Sequence, residues 1–324
     1  MKIIKPLIIA SLLSTSIWAK PEKVEKVFGS SPPMTYLLYA LNPSKMIGLN
    51  FAPKNANNSA DERYLDREFL NLPVIGSFHG GNVAINIESV AAKKPDLTLI
   101  WQDDVMVDSV KKEMSKISVP YLMVPFRKIE DMPRSIKLVG DAIGESKRAM
   151  LLSTYSQKII DEIKSSVGDK KVRYYYAQGI DGLSTECSDS FHIEALNFVG
   201  GENVHKCQQS GVLGLEQINL EQLLKYNPEV IVVQNRSLYN DIKSDNLWKN
   251  LRALKNNRVY LAPITPFNWI DRPPSFMRVL GIQFLASKFH PDSYKIDLNT
   301  RIVEFFALFL RKNITKDEAS KFYN

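Results

Sequence analysis

The sequence has 324 residues, 44% hydrophobic and 24% charged, a balance that excludes a disordered or low-complexity chain. Lys and Arg outnumber Asp and Glu by 42 to 35, but the charges are interspersed. Small basic clusters such as Lys170, Lys171 and Arg173 lack the aromatic interleaving of a nucleic-acid surface, so no nucleic acid is expected as a partner.

The longest apolar tract comes first. Lys2 and Lys5 flank the start of an apolar run that continues over residues 7–13, and Ser14, Thr15 and Ser16 lead to Ala19. This is the pattern of a secretory signal peptide over residues 1–19. No Cys lies near the cut, so the expectation is an exported protein without a lipid anchor. No later segment reads as a transmembrane helix. Without Lys2 and Lys5 the chain keeps 40 basic and 35 acidic residues, a net charge of +5. That balance is compatible with an anionic small ligand and does not establish one.

A first strand is expected over 26–28, followed by the loop 29–33 and a helix over 34–41, with Ser31 as N-cap and Pro32 and Pro33 in the first turn. Residues 45–49 read as a second strand and 52–66 as a polar, Asn-rich surface excursion. Residues 76–81 (GSFHGG) form a Gly-rich loop. Asn86 is an N-cap with Glu88 in the first helical turn. Pro95 ends that helix, 97–101 (LTLIW) reads as a buried strand and 119–124 as another strand. Helices follow over 132–143 and 145–167, the second with Ala149, Leu152, Tyr155, Ile159, Ile160 and Ile163 at helical spacing.

The second half restarts with a strand over 171–177, a loop over 185–189 and a helix from His192 to Val199 capped by Ser190 and ended by Gly200-Gly201. Strands are expected over 230–234 and 258–261, with a helix around 247–253 between them. The loop 263–274 packs four prolines, Phe267, Trp269 and the pair Asp271-Arg272 into twelve positions. Closing helices are expected over 275–285 and 301–310.

Residues 85–101 and 218–234 align without a gap at an offset of 133. Ile85, Asn86 and Glu88 match Ile218, Asn219 and Glu221, Pro95 matches Pro228, and Asp96 matches Glu229. A repeat this long implies two similarly built halves. Strands alternating with helices in each half imply parallel sheets. The expected fold is α/β: two Rossmann-like lobes over 20–144 and 168–324 joined by one long helix over 145–167.

The only cysteines are Cys187 and Cys207. In an oxidising compartment a disulfide is one reading. The other is a Cys/His metal site with His192 and His205, although the spacing C-x4-H…H-x-C matches no standard zinc pattern.

Taken together, the signal peptide, the I-N-x-E…P-[DE] element in each half, Gly200-Gly201-Glu202-Asn203 before the second element and the long connecting helix resemble the metal-chelate (type III) periplasmic binding proteins of ABC importers. The resemblance covers the whole chain after the signal peptide. It implies a monomeric protein of the periplasm that holds a metal complex (a ferric siderophore, haem, cobalamin or a nickel chelate) in a cleft between lobes. It also implies no catalysis, no cofactor of its own, and delivery to a permease dimer in the inner membrane. In that family one carboxylate per lobe docks on the permease, and Glu88 and Glu221 occupy the matching positions. Each Glu also has a plainer role, completing a helix N-terminus.

Ligand candidates lie at the carboxyl ends of strands, where open α/β sheets bind ligands. They are Ser31, His79, Trp101 and Arg127 in the first lobe, and Tyr176, Arg236, Trp269 and Arg272 in the second. Aromatic rings there stack on a chelator or macrocycle, and arginines pair with carboxylate or catecholate oxygens. Trp101 reads equally well as a core residue, and Arg272 as the salt-bridge partner of Asp271. His79, between Phe78 and Gly80, is the best placed to reach a metal, though a lone His is more often an ordinary polar group. Two alternatives stand beside this reading: a binding protein for an oxyanion such as molybdate, and a periplasmic metalloenzyme. The sequence contains no G-x-S-x-G, H-E-x-x-H, G-x-x-x-x-G-K or G-x-G-x-x-G motif.

Overall fold

The computed structural model describes residues 23–52, 62–78, 85–209 and 214–323. The signal-peptide segment, much of the Asn-rich excursion and His79 lie outside the described residues.

In the first lobe, strands β1 (Val27–Gly29), β2 (Leu97–Trp101) and β3 (Tyr121–Val124) form a parallel sheet in that order. Helix α1 (Pro32–Leu41) follows β1, and α2 (Ile87–Lys93) precedes β2. Helix α3 (Ser146–Val167) then runs for 22 residues, about 33 Å at 1.5 Å per residue. The second lobe contains β4 (Val172–Ala177), β5 (Ser184–Glu186), β6 (Gly201–Asn203), β7 (Leu215–Gln217), β8 (Val230–Val233) and β9 (Val259–Leu261). Its parallel sheet has the order β6-β4-β8-β9, and β5 pairs antiparallel with β7. Helices α4 (Leu220–Tyr226) and α5 (Arg236–Ser244) flank β8, and α6 (Arg278–Phe289) leads to the C-terminal helices. Two lobes built on parallel sheets and one long helix agree with the expected fold class.

Alternation along the strands explains how the lobes join. Leu97, Leu99 and Trp101 of β2 face the same core as Tyr174 and Tyr176 of β4 and Val230 and Val232 of β8. Their neighbours face outward into a separate core for each lobe: Ile100 with Val90 and Met114, and Tyr175, Ile231 and Val233 with Leu223 and Leu238. Each sheet therefore has one face in a core shared by both lobes, as the two-residue period of a strand dictates. Helix α3 adds Ala149, Leu152, Ile159, Ile160 and Ile163 to that core. Its start lies against Gly140, where a Cβ would fall 2.2 Å from Ala149 Cβ. Its end is tied by Glu162 Oε1 to Arg301 Nη2 at 2.6 Å.

The repeat is reproduced in detail. Asn86 Oδ1 accepts from Ser89 N at 2.9 Å, and Asn219 Oδ1 from Gln222 N at 2.8 Å. Both seven-residue helices end on a left-handed residue, Lys94 at φ 49° and Asn227 at φ 42°. After each, the acidic residue donates its backbone N–H across the sheet, Asp96 to Lys26 O at 2.8 Å and Glu229 to Arg173 O at 2.9 Å.

Some local expectations fail. Residues 45–49 do not form a strand: Pro43–Lys45 is a 3-10 turn, and Met46 and Leu49 make only isolated bridges. Gly48 is closely covered there, a Cβ falling 2.3 Å from Ile75 Cδ1. Within the expected loop 185–189, Thr185 and Glu186 are strand because β7 supplies a partner about thirty residues downstream. The expected helix near 247–253 splits into a 3-10 turn (Trp248–Asn250) and a single turn (Arg252–Lys255), and α5 was not anticipated.

Candidate ligand-binding site

The loop after β9 organises the site. Phe267 enters the first lobe, stacking on Tyr36 at 4.2 Å between ring centroids and meeting Tyr39 edge-on at 6.1 Å. Asn268 Oδ1 accepts from the backbone N–H of Ile270 and Asp271 at 2.8 and 3.0 Å, and Trp269 Nε1 donates to Thr265 O at 2.7 Å. Helix α6 passes so close that a Cβ on Gly281 would fall 1.9 Å from Trp269 O. Trp269 is consequently a fully buried brace of the loop, packed against Phe284 and Phe322.

Seated this way, the loop presents Arg272, whose φ of 53° is unusual for a side-chain-bearing residue. Its Nη2 donates to Glu186 Oε1 and its Nε to Gln178 Oε1 at 3.1 Å, with Asp271 Oδ2 3.6 Å from Nε. Glu186, fully buried, also accepts from Gln178 Nε2 at 3.0 Å and Ser190 Oγ at 2.8 Å. Burial pulls the Arg272 guanidinium down, but the Asp271 and Glu186 carboxylates outweigh it and raise it above its ordinary value. Gly214, at φ 74°, must be glycine because a Cβ there would lie 2.4 Å from Glu186 Oε2.

Beside Arg272 opens a pocket of about 700 Å³ at the carboxyl ends of β4, β8 and β9. Gly179 and Ile180, Gln234 to Arg236, and Leu261 and Ala262 line it as those strands end, and Lys321 and Phe322 close it from the C-terminal side. Its described lining contains three cations, Arg236, Arg272 and Lys321, and no carboxylate. Ile180, 97% exposed, stands at its edge. The guanidinium of Arg236 lies over the Tyr239 ring, 5.8 Å from its centroid.

Between the lobes a second set of groups converges on Phe191. Trp101 meets its ring edge-on at 5.4 Å, and the Arg127 guanidinium sits 5.8 Å above it. The next residue, His192, brings Nδ1 within 2.6 Å of Asp271 Oδ2, but without the alignment of a hydrogen bond. Arg278 clamps the first lobe here, Nη1 donating to Arg127 O at 2.9 Å and Nη2 to Phe126 O at 2.6 Å, and burial lowers its guanidinium to about 10. Glu194 Oε1 accepts from Ile129 N at 3.2 Å. Among the described residues, Ser31 Oγ, Trp101 Nε1 and Tyr176 OH are buried without a hydrogen-bond partner. Burial raises the Tyr176 phenol far above its ordinary value.

Of the expected ligand residues, the structure gathers Trp101 and Arg127 at the lobe junction and Arg236 and Arg272 at the pocket. Tyr176 is buried at the end of β4, and Ser31 holds the N-cap position of α1 without giving a side-chain capping bond. Trp101, 3% exposed, sits mainly in the core. Arg272 has Glu186 as its nearest carboxylate, with Asp271 second. Glu88 and Glu221 both lie exposed in the first turns of α2 and α4, and Glu221 pairs with Lys225 at 2.8 Å. The Cys/His metal reading is set aside: Cys187 and Cys207 are joined by a disulfide, His192 faces Asp271, and His205 Nδ1 meets Tyr226 OH at 3.0 Å. Lys321 and Phe322 were not anticipated. The capping box Thr315–Glu318, which starts the helix before them, was the available signal.

Comparison with known proteins bears on this geometry. An ABC transporter solute-binding protein from Sulfurospirillum deleyianum is similar in structure, with 36% sequence identity and a TM-score of 0.89 over 93% of this chain and 94% of that one. The molybdate-binding protein MolA of Haemophilus influenzae is 24% identical over 265 residues, 74% of this chain and 73% of its own. The high-affinity heme uptake system protein IsdE of Staphylococcus aureus is 24% identical over 214 residues, 63% of this chain and 70% of its own. The family model for periplasmic binding proteins matches residues 35–265. The chain therefore belongs to the periplasmic binding protein family, and its paired parallel sheets on one long helix are the type III form found in solute-binding proteins of ABC importers.

Proposed function

We propose that this protein captures a metal complex in the pocket beside Arg272 and hands it to a membrane permease, without catalysing a reaction and without a cofactor of its own. The observation that carries the reading is the pocket itself: about 700 Å³ at three strand ends, with Arg236, Arg272 and Lys321 in its walls. That volume suits a drug-sized molecule. The arginines suit carboxylate or catecholate oxygens, and Ile180, Leu261, Ile264 and Phe322 offer apolar walls to a chelator or macrocycle. Heme uptake by the relative IsdE is in keeping with such a ligand.

A second reading, a tetrahedral oxyanion, is favoured by the same three cations and by the similarity to MolA. The pocket's size and its apolar walls argue for the larger ligand. In either case Glu88 and Glu221 dock on a two-fold permease, and the exported, unanchored protein acts as a monomer in the periplasm. No described helix is long and apolar enough to cross a membrane.

Intrinsic tryptophan fluorescence tests the reading by titration with a ferric siderophore, haem, cobalamin, nickel–histidine and molybdate. Saturable binding of one metal complex without turnover is expected. Binding of molybdate alone would favour the oxyanion, and turnover with a metal that survives chelation would favour an enzyme.

A further inference from the structure

Glu186, which holds Arg272, is followed directly by Cys187, and the disulfide ties Cys187 to Cys207 across 20 residues. The turn between Glu186 and Ser190 begins where β5 ends, with Glu186 paired to Leu215 of β7, and among the described residues its further ties to other segments are polar contacts. Asn203 Nδ2 donates to Glu186 O at 2.7 Å, Ser188 Oγ to Cys207 O at 3.4 Å, and Gln209 N to Asp189 Oδ1 at 3.1 Å. All three come from residues 203–209, which leave β6 at Asn203 and form no helix or further strand. The covalent bond is therefore the strongest link between the turn and residues 203–209. At the turn's far end, Ser190 Oγ donates to Glu186 Oε2 at 2.8 Å and accepts from His192 N at 3.2 Å. The turn thus sets both the Glu186 carboxylate and the approach of His192 to Asp271.

We infer that the Cys187–Cys207 disulfide is a positioning element of the ligand site: by fixing this turn it makes Glu186 and Ser190 hold Arg272 against the pocket. A bond that only stapled the fold would not need to adjoin the buried carboxylate nearest to a cation of the pocket. The inference rests on the reading that the pocket takes an anionic complex, and it assigns affinity for that complex to a bond that does not touch it.

The test uses the full chain after the signal peptide, titrated with three anionic probes: haem, a ferric tris-catecholate and molybdate. Wild type, Cys187→Ser/Cys207→Ser, Arg272→Gln and the triple variant are compared, with circular dichroism and thermal unfolding reporting the folded state. Wild type is expected to bind at least one probe. The disulfide-free chain should bind it about tenfold more weakly, the size of loss typical when a group supporting a ligand-binding side chain is removed. The triple variant should bind no more weakly than Arg272→Gln, because the bond acts through that residue. If the disulfide-free chain does not fold, Ser190→Ala keeps the bond and should show the same Arg272-dependent loss. Unchanged affinity in the disulfide-free chain, or in Ser190→Ala where that variant stands in, overturns the positioning role, as does an equal further loss when Arg272 is already Gln. Failure of wild type to bind any of the three probes overturns the anionic-complex reading and this inference with it, whereas binding of a probe unaffected by the disulfide overturns the inference alone.

Discussion

Asn86 and Asn219 cap helices of equal length, start them with an exposed Glu and end them on a left-handed residue. Past the following strands the two lobes differ. At the end of β2, Trp101 is buried and capped by Phe191 from the other lobe. At the end of β8, the chain opens into a pocket carrying three cations. One side of the molecule is thus duplicated and the other is not. The difference fits two kinds of partner: a two-fold surface is met by repeated groups, and a single asymmetric ligand is met by loops free to diverge.

The unrepeated side should be the more sensitive to change. Arg272→Met removes the cation from fully buried Glu186 and should cost about 3–5 kcal/mol of stability by chemical denaturation, the size expected on breaking a buried pair. Arg127→Met, on an exposed first-lobe side chain that lies over Phe191, should cost less than about 1 kcal/mol. Equal losses would erase the contrast between lobes. Next in size, Gly281→Ala places a methyl group against Trp269 O and should cost about 1–3 kcal/mol while weakening ligand binding, since it displaces the loop that presents Arg272.

The repeated side should respond in transport rather than in binding. Glu88→Ala with Glu221→Ala should lower stability by about 0.3–1 kcal/mol per site, leave ligand affinity intact and reduce uptake in cells. Normal uptake by the double variant would remove the docking role and leave the two glutamates as helix-start residues.

The smallest effect expected is on acid stability. Burial lowers the His290 imidazole, and its Nε2 lies 2.7 Å from Val199 O in the second lobe. A group depressed in the folded state leaves the unfolded chain with more bound protons just below the ordinary histidine value near 6.5. Stability from this group is thus present above that pH and is lost as pH falls toward the folded value. His290→Asn should flatten the pH dependence just below about 6.5, as measured by thermal unfolding. An unchanged slope would remove His290 as its source.

The duplicated side could be read from sequence because it rests on local rules. An Asn before an apolar run, a Glu in the first turn and a Pro-acid step after the helix each act within a few residues, and each recurs 133 positions later. The pocket could be read only in part. Arg236 and Arg272 follow strand ends and were visible, whereas the role of Glu186 depends on a strand partner at 215–217 and on Gly214. Trp269 reads as a stacking side chain in isolation, yet Pro263, Thr265 and Gly281 enclose it. Lys321 reaches the pocket only because the C-terminal helix returns to the strand ends. Contacts of that separation leave no periodic trace in a single sequence.

The proposed ligand position is at the second lobe's strand ends, against Arg272. A crystal structure of the protein grown with a saturating ferric complex tests it most directly. Electron density for the complex is expected between Arg236, Arg272 and Lys321, with an Arg272 nitrogen within hydrogen-bonding distance of a ligand oxygen. Density for the complex elsewhere, with Arg272 still engaged by Gln178, Glu186 and Asp271 and not by the complex, would contradict it.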